Sequence, residues 1–120
     1  MLTTATAAFC GPALLHPAPA DALRLLLLAP LLEEWVIRAG LQEWLARRTG
    51  TAAPPLLLPL LLPAACFGLL HLGGGWSAAA ATFWPGLALG LLYRRTRDWR
   101  ACALVHALMN GCALFFCGLF

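Results

Sequence analysis

Apolar residues fill this chain in four long blocks, separated by short breaks of proline, glycine or arginine. The segments fall at residues 21–48, 55–72, 76–95 and 99–120, and the first holds a membrane-like stretch at 23–45. Each is near the ~20 residues that a helix needs to cross the hydrocarbon layer of a bilayer. Asp21 is placed to cap the first helix, Arg47 and Arg48 suit its last turn, and Thr49-Gly50 stops it. Pro54, Pro55, Pro59 and Pro63 predict an irregular or kinked start to the second helix, which Gly73-Gly74-Gly75 ends. The pattern predicts an all-α, polytopic membrane protein, a bundle of about four transmembrane helices over residues 21–120. Residues 1–20 form an extension punctuated by Pro12, Pro17 and Pro19, without the basic start or cleavage pattern of a signal peptide. No internal repeat is evident.

Composition points to the same solvent. The chain is 62% hydrophobic and 11% charged, against about a quarter charged in soluble domains, and its mean hydropathy is +0.81. The net charge of +3 comes from arginine alone, since there is no lysine. These arginines cluster at helix ends rather than along a face, so they speak for topology and against a nucleic-acid partner. Arg47 and Arg48 fall in one loop, and Arg94, Arg95, Arg97 and Arg100 in another. In a four-pass chain both loops lie on one side, and the positive-inside rule places them in the cytoplasm with both chain ends outside. Arg24 dissents, and a single charge near a helix end can snorkel. Trp76, Trp84, Trp99 and Tyr93 lie mostly near segment ends, as interfacial aromatics do. The five cysteines, Cys10, Cys66, Cys102, Cys112 and Cys117, form an odd set without CxxC spacing, which reads as small buried hydrophobes and argues against a disulfide framework.

Charges inside the first block change the picture. Glu33, Glu34 and Arg38 sit at bilayer depth, where ionised groups are expensive unless they face protein or water and find partners. On a helix Glu34 and Arg38 are i, i+4 neighbours about 40° apart, while Glu33 points about 100° from Glu34. One carboxylate can then be pinned by arginine while its neighbour is left desolvated to act as a base. The plainer alternative is a salt bridge that only helps insertion. His71 closes the second segment with Phe67 one turn before it, and His106 and Asn110 share a face of the fourth. Taken singly, His71 reads as an interfacial residue and Asn110 as helix–helix glue. Together these residues make an inventory for activating water and binding an oxyanion. On the segment boundaries His71 lies near the outer surface and His106 about 10 Å from the inner one, at about 1.5 Å per residue. The two meet only if the glycine turn is recessed or the helices tilt.

In order, Glu33-Glu34-x-x-x-Arg38, Phe67-x-x-x-His71, Phe83-x-x-Gly86-x-x-x-Gly90 and His106-x-x-x-Asn110 resemble the motifs of the CPBP intramembrane proteases. That family includes the Abi proteins and the CAAX prenyl endopeptidases of the Ras-converting type, and the resemblance spans about residues 22 to 116. Ile37 stands where an aromatic is usual, Trp35 is bulkier than the pattern, and Thr96-Arg97-Asp98-Trp99 replaces the usual turn before the last helix. The resemblance implies a glutamic-type endopeptidase of a multi-pass protein in the bacterial inner (plasma) membrane. Glu33 with His71 would activate water, His106 and Asn110 would stabilise the oxyanion, and Glu34 and Arg38 would hold the base. It implies membrane lipid as surroundings and, as substrate, a protein or peptide with a membrane-associated C-terminus, either a prenylated tail or a sorting signal. No cofactor is required. A zinc-dependent version would use Glu33, His71 and His106 as ligands. Two other classes stay open: a non-catalytic immunity or assembly factor on the same scaffold, and a haem bundle with His71 and His106 as axial ligands.

Overall fold

Residues 10, 14, 16–49 and 57–118 are described by the structure, a computed structural model. Helices account for every regular element among them. The first rod runs without a break through α1 (Pro19–Leu23), a π-helical stretch Arg24–Leu28, α2 (Ala29–Glu34), a second π stretch Trp35–Gln42 and α3 (Glu43–Thr49). It is followed by α4 (Leu57–Leu69), a 3-10 turn Leu72–Gly74, α5 (Trp76–Thr96) and α6 (Trp99–Gly118). Pro30 enters α2 directly after the first π stretch, where its missing N–H and its ring disturb the ladder upstream. The second π stretch carries Arg38 and Gln42, and such wide turns concentrate at functional sites.

Helix ends depart from the expected ones in two places. Asp21 does not cap the first rod: the cap position is Ala18, Pro19 occupies the first turn, and Asp21 instead binds Arg24 at 3.0 Å. Proline needs no capped N–H there, which removes the demand for the aspartate. The cap that aspartate does make is at α6, where Asp98 Oδ1 accepts the backbone N–H of Arg100 at 2.9 Å. That bond, with the Arg100 side chain, holds the Asp98 carboxyl below the usual carboxylate range. Arg97 makes the αα turn possible by taking a left-handed conformation, φ 53°, with its N–H on the Tyr93 carbonyl at 2.7 Å. The expected irregularity of the second segment is absent from Leu57 onward, since α4 passes through Pro59 and Pro63 as a helix; Pro54 and Pro55 lie outside the described residues.

Contacts between helices give their directions. Arg38 reaches Gly86 and Gln42 reaches Gly90, a constant offset that makes the first rod and α5 parallel. His106 meets Glu34 and Asn110 meets Leu25, so α6 runs against the first rod. The largest fully buried side chains include Arg38, Gln42 and Glu34, while Leu32, Leu104, Leu108 and Phe115 stand 60% or more exposed. Polar groups inside and large apolar ones outside invert the soluble pattern. Only α6 is long and apolar enough by itself to cross a membrane among the described residues; a shorter apolar stretch, Leu58–Leu69, lies in α4. The first rod is divided by π stretches and carries six charges from Asp21 through Glu43, and α5 holds Trp76, Ser77, Trp84 and Pro85 within its apolar run. Those features separate these two from the uniform spans expected.

The cysteine reading needs correcting. Cys10 and Cys117 form a disulfide across 107 residues of sequence, while Cys66, Cys102 and Cys112 are free. Local spacing says nothing about two ends that folding brings together. Of residues 1–20, Cys10, Leu14 and 16–20 are described, and the first of these is fastened to the end of α6.

Candidate active site

A buried polar seam joins three helices. Arg38 Nε donates to Glu34 Oε2 at 2.7 Å, Nη1 to Gln42 Oε1 at 3.0 Å, and Nη2 to the Gly86 carbonyl at 2.8 Å. Gln42 Nε2 donates in turn to the Gly90 carbonyl at 2.9 Å. Glu34 completes the seam with its other oxygen, which receives His106 Nδ1–H at 3.0 Å. Glu34 and Arg38 are wholly buried, and every charge there has a hydrogen-bonded partner, as burial demands.

Glu33 faces the other way. Its Oε2 is buried yet accepts no hydrogen bond from any described residue. His106 Nε2 lies 3.9 Å from that oxygen, too far for a direct hydrogen bond. Both groups line a cavity of about 480 Å³, together with His71 and Asn110. Its remaining walls are largely small or apolar, among them Leu25, Ala29, Ala81, Pro85 and Met109.

Phe67 resolves the mismatch in depth between the two histidines. Its ring centroid lies 5.2 Å from that of His71 and 5.2 Å, edge-on, from that of His106. Gly86 makes room for it, since a Cβ there would come within 3.0 to 3.2 Å of three Phe67 atoms. His71 follows α4 in a bridge-region conformation, φ −99° and ψ 9°, a region where active-site residues recur. Its Nδ1 donates to the Phe67 carbonyl at 2.9 Å. A carbonyl and a carboxylate only accept, so each imidazole bears its proton at Nδ1 and turns Nε2 away from these partners. Asn110 Nδ2 donates to the Leu25 carbonyl at 2.7 Å, the helix–helix bond foreseen as its plainer reading, and its second amide hydrogen is not used by that bond.

The structure thus brings Glu33, His71, His106 and Asn110 to one cavity, with Glu34 and Arg38 behind it. Among the described residues no group of three or more His, Cys, Asp or Glu side chains is placed to hold a metal ion. Sequence reasoning missed Gln42. The signal was available, because Gln42 stands four residues after Arg38, and Arg38 four after Glu34.

The sequence profile of the type II CAAX prenyl endopeptidases, Rce1-like, matches residues 15–112. The chain belongs to this family. The Rce1-like match takes in all six candidate site residues and leaves Cys10 and Cys117 outside. No curated protein and no solved structure matches the chain. Members of the Rce1-like family are membrane-associated endopeptidases, and the apolar α6 is in keeping with that setting.

Proposed function

We propose that this chain is an intramembrane endopeptidase in which Glu33 is the general base, acting on water without a metal. The observation that carries this reading is the contrast within one dipeptide: Glu34 is fully engaged, while Glu33 lines the cavity and its Oε2 has no protein hydrogen-bond partner. In the proposed reaction Glu33 takes a proton from water held between its Oε2 and His106 Nε2. The hydroxide attacks the scissile carbonyl, and the second amide hydrogen of Asn110 supports the resulting oxyanion. Collapse breaks the C–N bond, and the proton gained by Glu33 passes to the leaving amine, with His71 Nε2 placed on the cavity to relay it. The 3.9 Å approach makes His106, rather than His71, the closer partner of the base.

The same reading sets the protein in the membrane as a four-pass bundle, here taken as the bacterial inner membrane. Parallel first and third rods, the outward apolar side chains and the two arginine-bearing ends support it. A disulfide joining the two chain ends suits an oxidising outer side. A cysteine introduced at Thr96 should react with an impermeant thiol reagent only from the cytoplasmic side; labelling from outside would overturn this topology.

The substrate proposed is a membrane-associated protein or peptide cleaved near its C-terminus. Purified protein should be tested on membrane peptides with a prenylated tail and with an unmodified apolar tail, with and without a chelator. Cleavage of either that survives the chelator and disappears in Glu33→Gln is the expected result. Cleavage lost to the chelator and restored by zinc would move the mechanism to a metal.

A further inference from the structure

We propose that Gln42 is a positioning residue, whose amide wedges Arg38 against α5 and thereby fixes the His106 ring that faces Glu33. The inference rests on the endopeptidase reading for its kinetic arm alone. Gln42 is 1% exposed, and its amide orientation is unambiguous. Arg38 has only donors and the Gly90 carbonyl only accepts, so Oε1 must face the guanidinium and Nε2 the carbonyl. Arg38 is therefore held at three separate nitrogens, by Glu34, Gln42 and Gly86. Removing one of three supports lets the planar guanidinium swing about the other two. Glu34 Oε2 must follow it, and Glu34 Oε1 is the acceptor that keeps the proton of His106 on Nδ1. Gln42 reaches the cavity only through this relay.

A purely structural clamp would behave differently, and the molecule contains one for comparison. Tyr93 on α5 donates to Glu43 Oε2 at 2.8 Å, which ties the same two rods together without touching the seam.

The full chain, labelled with ¹⁵N-histidine in detergent micelles, tests the relay, because it has three histidines, His16, His71 and His106. In the unaltered protein His71 and His106 should both show the Nδ1–H tautomer. Gln42→Met keeps the volume of the side chain but loses its amide. It should turn His106 into a tautomer mixture while His71 is unchanged, and lower kcat about 10- to 10²-fold with KM nearly constant, the scale of a displaced catalytic group. Tyr93→Phe should alter neither the His106 signal nor kcat. Gln42→Glu should recover activity while its carboxyl holds a proton, since it can then donate to Gly90 as the amide does. Should Gln42→Met not fold, deprotonating Gln42→Glu at high pH should disturb His106 and leave His71 alone. An unchanged His106 in folded Gln42→Met, or in deprotonated Gln42→Glu, overturns the role of Gln42. The nitrogen signal reads the relay whether or not the chain cleaves peptides. A disturbed His106 in a protein whose unaltered form cleaves nothing would uphold the relay and overturn the protease.

Discussion

Glu34 and Glu33 are adjacent in sequence, yet they occupy opposite kinds of environment. Glu34 belongs to a buried seam in which Arg38 and His106 donate to its two oxygens, while the Gly86 carbonyl of α5 accepts from the arginine beside it. Glu33 belongs to a cavity wall, with a quarter of its side chain exposed and one oxygen unpartnered. The difference arises from about 100° of rotation per helical residue, which sends the two carboxylates to different neighbours. A buried charge that is fully bonded is fixed in place and in protonation, whereas one that is partly bonded can exchange a proton with a reactant. On the proposed function, the seam serves as the frame and the wall carries the chemistry.

The largest effect should come from breaking the frame. Arg38→Gln leaves Glu34 buried with only His106 opposite it. Removing one member of a buried ion pair typically costs about 3–5 kcal/mol, so the variant should unfold at much lower denaturant and accumulate poorly in the membrane. A denaturant titration in micelles measures this, and a midpoint equal to that of the unaltered protein would mean that the seam does not hold the fold.

Phe67→Ala should come next. Phe67 is 2% exposed and supports both imidazoles, and deleting a buried aromatic commonly costs about 3–5 kcal/mol with an upper range set by how little the site collapses. Activity per folded molecule should fall further than stability does, because His71 and His106 lose the ring they share.

The smallest effect should come from Arg97→Ala. Arg97 pairs with Glu43 at 2.8 Å, chemically the same contact as Arg38 with Glu34, but it is more than half exposed. Exposed pairs are worth about 0–1 kcal/mol and weaken with salt. A stability change comparable to that of Arg38→Gln would show that burial is not what separates the two clusters.

How much of this was legible in the chain follows from how local each feature is. The Glu34–Arg38 contact is an i, i+4 relation, so spacing alone exposes it. The bounds of α5 and α6 come from Gly75, Arg97 and the uninterrupted apolar runs, and they fall within two residues of expectation. The π stretches were not legible, since Trp35–Gln42 contains no proline and its one glycine, Gly40, does not by itself dictate wide turns. Long-range contacts were hidden for a different reason. The Cys10–Cys117 bridge and the Gln42–Gly90 bond depend on helix tilt and direction, which hydropathy does not encode. Asn110 carried two readings at once: its bond to Leu25 is structural glue, while its side chain still lines the cavity.

The most direct test of the division between frame and wall is a side-by-side measurement of Glu33→Gln and Glu34→Gln, recording unfolding midpoint and cleavage per folded molecule for each. Glutamine keeps the volume and one acceptor oxygen but cannot take a proton from water. Glu33→Gln should keep the midpoint of the unaltered protein and lose about 10²–10⁴-fold in rate, the contribution typical of a general base. Glu34→Gln should lower the midpoint, because the Arg38 charge loses its carboxylate. Cleavage at the unaltered rate by Glu33→Gln, or equal losses of stability in both variants, would contradict the account.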